Sequence, residues 1–486
     1  MIKRLQGLYE RYFCQCDNGG ERFILYVVWG VYCVVTFVVA THHESWFDET
    51  QAYLMAREVS PWELVTTYIR YEGTPPLWHL LLMVPVKFGL PIESLQVISV
   101  ACMCLGVYVF LLSSPLPIGV KILLPLNYFI FFQYTTVARS YTLIFPILAL
   151  LAVYYPARWE RRWPYIVSLV VFSLISMHTA LLAGGLVIAD IIEAWIGWKK
   201  MDRTAKISLM VLVGVFAIDT IAIVLMCFPP GDLTPPTHIR PRLLQFCYAD
   251  IRMVTEAISG ESLLSFLMLF YIMHFSFKKG RLLVCWLPLV LLLLFFGSIL
   301  NKPWHAGVIL CWVVFVSWIC SYDSKKWPVS LANTMIALAV IQLPSLYTCI
   351  KNDWELPYSG AGDAASAIKK ILPEVRSIEA YGFASHAVLA YFPQGRIKFS
   401  NSPEPWHEFY TWSPRAIPAV APKTINAHAD LVLITSFAKG ESNVDPETIR
   451  PRGYKLAGTF PGYCLWKDTT YENYCYYLFQ REAVSP

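Results

Sequence analysis

The sequence predicts a polytopic α-helical membrane protein with a small α/β domain at its carboxyl end. Three observations predict it. The 486-residue chain is 56% hydrophobic and only 15% charged, where a soluble domain carries about a quarter charged residues. Charge-free apolar runs of membrane-crossing length recur along residues 1–350. Basic residues gather in clusters between those runs. This composition excludes an ordinary cytosolic enzyme and a disordered chain. The net charge of +5 is too mild to indicate nucleic acid as a partner. Seventeen Trp, 28 Tyr and 28 Phe suit a protein with many membrane interfaces.

Taken in order, Phe23–Ala40 exceeds the core of a cleavable signal and predicts an uncleaved first helix. Pro75–Val86 is too short to cross and reads as an interfacial or re-entrant helix, so whether 75–91 crosses stays open. Leu95–Val120, Ile122–Ala138, Ser140–Ala157 and Ile207–Gly231 follow as spans. Ser262–Phe277 is marginal in length; Leu282–Leu300, Ala306–Tyr322 and Trp327–Ile350 complete the series. Between Arg162 and Lys199 there is room for a hairpin of thin-membrane crossings turning near His178. Lys3/Arg4, Lys121, Arg158/Arg161/Arg162, Lys199/Lys200/Arg203/Lys206, Lys278/Lys279/Arg281 and Lys325/Lys326 belong in the cytoplasm by the positive-inside rule. Parity then gives about eleven crossings, with the amino end inside and the carboxyl end outside.

Two soluble pieces therefore lie outside. The first loop, 41–94, is rich in Trp, Tyr and acidic residues. The tail, 351–486, is polar and balanced in charge. It predicts a helix over Asp363–Leu372 and strands at Ser377–Tyr381, Arg396–Phe399, Leu431–Thr435 and Tyr463–Lys467. Most of the 13 Cys fall in apolar runs, where they read as small buried hydrophobes. Cys14 and Cys16 have no neighbouring ligand cluster to make a zinc site. Cys464 and Cys475 share the outer domain, where a disulfide can form or not.

Charge is scarce enough that each ionisable group near the membrane matters. Asp48 and Glu49 stand together just beyond the first helix, in Trp46-Phe47-Asp48-Glu49. A carboxylate at such a half-dry boundary can accept a proton or hold a cation; the plainer role is to cap the next helix. Tyr71-Glu72-Gly73-Thr74-Pro75-Pro76-Leu77-Trp78 is a loop-to-helix entry whose prolines set the backbone but leave Glu72 unexplained. Arg139, in Ala138-Arg139-Ser140-Tyr141, is one charge between two charge-free runs and lies at the outer tip of a hairpin. A guanidinium suits a phosphate; it can also snorkel, or pair with Asp48 or Glu49. His178 and His305, with Lys302, reach the same face by parity, either as ligands or as packed and capping residues. Asp219 is an intramembrane acid with a polar contact in the bundle as its plain explanation. Tyr68, Arg70 and the loop Pro229–Ser262, with Arg240 and Arg242, frame a groove or form an exposed polar loop.

A first helix followed by Asp-Glu, a Gly-x-Pro-Pro-Leu-Trp segment and a later Ala-Arg-x-Tyr resembles the GT-C membrane glycosyltransferases, of the protein mannosyltransferase and aminoarabinose transferase type. The resemblance covers roughly residues 46–155, and Trp304-His305-Ala306-Gly307 is loosely similar to a later motif. It implies a GT-C-like module over 1–350 and transfer of a sugar from a polyprenyl-phosphate carrier to a lipid, glycan or protein acceptor. The site of transfer would be the outer face of a bacterial inner or plasma membrane. Asp48 would then activate the acceptor, with Glu49 beside it as a second catalytic carboxylate. Arg139 would bind the carrier phosphate, and Glu72, Tyr141, His178, Lys302 and His305 would complete the substrate site. A divalent cation is left open and no other cofactor is implied. Thr74 departs from the His or Lys often found before the prolines, and Glu72 is displaced from the acidic residue of the aminoarabinose enzymes. The competing reading is a transporter or flippase, for which Asp219 would be the key residue.

Overall fold

A computed structural model of the chain describes residues 2–16, 21–232, 243–299, 301–371, 375–400, 406–413, 428–438, 445–467 and 469–482. The bundle begins with α1 (Arg22–Ala40), and the first loop then folds into α2 (Phe47–Glu58) and α3 (Leu77–Lys87). Next come α4 (Ser94–Ser113), α5 (Ile144–Tyr154), α6 (Arg162–Ser173), α7 (Met177–Gly197) and α8 (Arg203–Cys227). The second half holds α9 (Leu243–Ile258), α10 (Ser262–Lys278), α11 (Leu282–Ser298), α12 (Gly307–Ile319), α13 (Val329–Val340) and α14 (Leu343–Glu355). Among the described residues, six helical segments are long and apolar enough to cross a membrane, or seven if the pair α9 and α10, bent by 77°, is one span. This is an integral membrane protein.

The remaining runs of the expected eleven form shorter or broken helices. Ile122–Ala138 is not a continuous helix: it divides into a 3-10 turn at Leu124–Leu126 and a π turn at Phe129–Gln133. Pro125 removes a backbone donor, and the Asn127 side chain accepts from the Phe129 amide at 3.0 Å. Tyr128–Ala138 is buried throughout, and irregular backbone at membrane depth is tolerated where protein surrounds it. α12 is likewise buried on every side, and α11 has only 17 residues. The 229–262 segment, expected as an exposed loop, contains α9 instead. Helices approach closely through small residues. Gly185 of α7 faces the Pro288 backbone of α11, where a Cβ would come within 2.5 Å of Pro288 Cα. The α6–α7 connection falls at Leu174–Ser176, next to His178 as expected. α3 is an 11-residue helix against α2 and remains shorter than a span.

α14 carries the bundle to Glu355, a few residues past the expected domain border at 350. The tail then forms α15 (Ala361–Ile371) and six strands: β1 (Ile378–Tyr381), β2 (Lys398–Phe399), β3 (Leu431–Ala438), β4 (Tyr454–Pro461), β5 (Cys464–Trp466) and β6 (Thr469–Arg481). The order is β2-β1-β3-β6-β4, with β5 against β6. β1 pairs in parallel with β2 and β3, whereas β6 runs antiparallel to β3, β4 and β5. Both faces of the central strands are apolar. Leu431, Leu433, Tyr476 and Leu478 join the main core, while Val432, Ile434, Cys475, Tyr477 and Phe479 form a second small core. Cys464 belongs to the main core and Cys475 to the second, on opposite sides of the sheet. Neither is in a disulfide, so the one considered from the sequence is not formed.

Candidate active site

The first loop is held between the bundle and the tail. Trp46 is extended, and Glu49 reaches back to accept from its amide at 2.9 Å, which caps α2. Asp48 therefore sits in the first turn, where the helix dipole favours its charge, and stays partly exposed. Arg139 arrives from the opposite side. It is extended and precedes the 3-10 turn Ser140–Leu143. Its Nη2 lies 2.9 Å from Asp48 Oδ2, with the two side chains 20% and 24% exposed. The guanidinium also stands 5.5 Å from the Trp46 ring centre, 5.4 Å from Tyr141 and 5.5 Å from Trp304. Three aromatic rings thus stabilise the cation at the cleft.

Asp48, Gln51, Glu72, Thr74, His79 and Arg139 are among the residues lining that small cleft, of about 70 Å³. Gln51 Nε2 donates to Glu72 Oε1 at 2.9 Å. Burial pushes the Glu72 carboxyl up to about 7, against the Gln51 hydrogen bond; Asp48 adds to the rise and Arg139 opposes it. Glu72 is thus poised to hold or release a proton near neutrality.

Behind Arg139 lies a second group. The Tyr141 ring is 5.7 Å from His305 and 6.4 Å from His178, and the two imidazoles are 4.4 Å apart. Neither ring nitrogen of the buried His178 has a hydrogen-bond partner among the described residues. Its neighbours include Phe295 and Phe296. Exposed Lys302 places Nζ 5.6 Å from the Trp304 ring, which Arg139 also addresses.

The structure thus brings Asp48, Glu72, Arg139 and Tyr141 together, with His178, His305 and Lys302 adjoining. It separates Glu49 from them, which corrects its expected catalytic role. Glu49 is fully buried; one carboxylate oxygen accepts from the Ala138 amide at 2.7 Å, and the other faces His43 Nε2 at 3.1 Å. A residue so enclosed has no access to an acceptor. Asp219 accepts from Ser173 Oγ at 2.7 Å, a polar contact within the bundle. Tyr68 meets His407 at 2.6 Å and Arg70 donates to the Phe228 carbonyl at 3.0 Å, so both serve as seams between elements. Arg240 and Arg242 lie outside the described residues.

The tail reaches the loop at several points that spacing could not foresee. Gln51 brackets the Tyr410 backbone, donating to its carbonyl at 2.6 Å and accepting from its amide at 2.9 Å. Glu44 accepts from the amides of Ser359, Gly360 and Gly362, capping α15. His386 Nε2 meets the Phe47 carbonyl at 2.9 Å, and Arg57 pairs with Glu408. The one signal in the sequence was the run His42-His43-Glu44, a dense ionisable stretch at the membrane boundary.

Asp48 already carries a guanidinium, and no group of three or more His, Cys, Asp and Glu side chains gathers for a metal among the described residues. No family model, no curated protein and no solved structure matches the chain.

Proposed function

We propose that the chain is a GT-C-type glycosyltransferase that moves a sugar from a polyprenyl-phosphate carrier to a lipid, glycan or protein acceptor. The reaction takes place at the outer face of the membrane, with the tail domain and first loop extracytoplasmic, the amino end cytoplasmic, and about eleven crossings when the short helices are counted. The observation that carries this reading is the Asp48–Arg139 pair at the mouth of a cleft at the edge of the bundle.

The chemistry divides between the two. Arg139 holds the Asp48 carboxylate in place at the cleft, 2.9 Å from its guanidinium. Asp48 takes the proton of an acceptor hydroxyl as its oxygen bonds to the anomeric carbon. The bond from that carbon to the carrier phosphate breaks, and the phosphate leaves with the electron pair. Arg139 stabilises the departing charge, and Lys302 is close enough on the shared Trp304 ring to add to it. A lipid-linked donor enters from the bilayer side. Asp219, the residue a transporter would need, is instead engaged with Ser173.

Asp48→Asn keeps the shape and removes the base. Transfer of radiolabelled sugar into membrane lipid or glycan is expected to fall on the order of a hundredfold or more, at unchanged abundance of the chain in the membrane. Full transfer by a normally abundant Asp48→Asn chain would overturn the assignment.

A further inference from the structure

A buried chain of charges lies beside the cleft and takes no part in the steps above. His43 Nδ1 is 3.1 Å from each oxygen of Asp353, and Nε2 is 3.1 Å from Glu49 Oε2. All three side chains are sealed from solvent. The far oxygen of Glu49 accepts from the Ala138 amide at 2.7 Å and faces Gln96 Nε2 at 3.4 Å. Gln96 also donates to Ser45 Oγ at 2.7 Å. An imidazole serves a carboxylate at each nitrogen only when both nitrogens carry protons. Burial works against that charge, and the Asp353 and Glu49 carboxylates overcome it, raising the His43 pKa to about 10. The bridge is therefore an imidazolium between two carboxylates.

The connectivity gives the bridge its meaning. Glu49 follows Asp48 in sequence, and Ala138 precedes Arg139. The hydrogen bond from the Ala138 amide to the Glu49 carboxylate thus ties together the chain neighbours of the two residues that meet at the cleft, alongside their own 2.9 Å contact. We propose that His43 is a positioning residue of this site: held by Asp353, it fixes the Glu49 carboxylate on the Ala138 amide and so sets Arg139 opposite Asp48. The importance of that alignment rests on the function proposed above; the geometry does not. A flat ring with two side-chain torsions suits the task, because it spans the two carboxylates with little freedom to lose. Asp353 lies in α14, the helix that leads into the tail, so the same bridge ties the alignment to the segment that carries the domain.

The test uses the full-length chain purified in detergent, with Ser140→Cys as a reporter in the cleft. Labelling by a polar maleimide is compared with the same chain lacking that substitution, which accounts for the native thiols. His43→Gln keeps a polar side chain and removes the charge; it is expected to release the 138–140 turn and speed labelling about fivefold. Asp353→Asn cuts the other end of the bridge and gives a second reading should His43→Gln fail to fold. Labelling within twofold of the parent in either folded variant would overturn the proposal.

In membranes, His43→Gln is expected to lower transfer in an otherwise wild-type chain but to add little in an Arg139→Lys background, because it acts through that residue. Equal losses in both backgrounds would mark a merely structural role and overturn the positioning claim. If labelling responds as expected while no chain, wild type included, transfers sugar, the function falls and the positioning stands.

Discussion

The two faces of α2 are built from neighbouring residues and behave in opposite ways. On one face Asp48 is partly exposed, bonded to a single guanidinium and open to a cleft. On the other, Glu49 is sealed, and its two oxygens engage His43, the Trp46 amide and the Ala138 amide. Both are carboxylates in the same helical turn. On the proposed function, the difference teaches that a reactive group and its support differ in how much of their bonding capacity the protein has already used. Glu49 has little capacity left, whereas Asp48 stays partly exposed beside its one ion pair. Gln51 belongs to both faces, since it orients Glu72 in the cleft and clasps Tyr410 of the tail.

The largest effect that tests this division is the contrast between neighbouring isosteric changes. Asp48→Asn is expected to remove transfer at a small cost to stability, about 1 kcal/mol or less, from the lost dipole and ion-pair contacts. Glu49→Gln is expected to do the reverse in order of cause: it leaves a buried imidazolium short of one carboxylate and lowers folding stability by about 1–3 kcal/mol. The thermal unfolding midpoint in detergent should fall further for Glu49→Gln than for Asp48→Asn. If the two variants unfold together, the two faces are not distinct.

Glu72 gives a smaller and pH-dependent effect. Its carboxyl is raised from an ordinary value of 4.5 to about 7, chiefly by burial. Folding therefore favours the protonated form, so its contribution to stability is fully present below the unfolded value. That contribution declines as pH rises and is lost on passing through about 7. Glu72→Gln fixes a neutral side chain there. Relative to the wild type it should gain stability between pH 5 and pH 8, read as a smaller fall in the thermal midpoint across about that range. Parallel midpoints for the two chains at every pH would show that Glu72 is not held up by its surroundings.

Much of this arrangement was legible in the sequence, for physical reasons that also mark where legibility ended. Hydropathy located α1, α4 and α8 because each is long and apolar, and the spacing of the basic clusters left room for α6 and α7. It misread Ile122–Ala138 because an average over apolar residues ignores the missing amide of Pro125 and the side-chain cap of Asn127. β6 was missed because Tyr476 and Tyr477 face two different cores, so its period-2 signal is apolar on both phases. Asp48 and Arg139 stood out as rare charges at a boundary, and they meet. Spacing could not say which of two adjacent carboxylates faces the cleft, and it gave no hint that Asp353, some three hundred residues away along the chain, would reach His43.

His178 offers the mildest test, and it concerns the ground behind Arg139 rather than the cleft itself. Its imidazole is buried against Phe295, Phe296 and His305, with no hydrogen-bond partner for either nitrogen among the described residues. Burying a polar ring in this way is unfavourable, and an apolar group of the same shape removes the cost. His178→Phe should therefore unfold at the same temperature as the wild type or slightly above it, a gain of at most about 1 kcal/mol. A plain packing role predicts unchanged transfer as well. Loss of transfer in a chain that is equally or more stable would mean that the imidazole is kept, at a cost to folding, for a substrate group that reaches past Tyr141. A large fall in stability would instead show that His178 has polar partners in solution, and would move it from the functional side of the comparison to the supporting side where Glu49 stands.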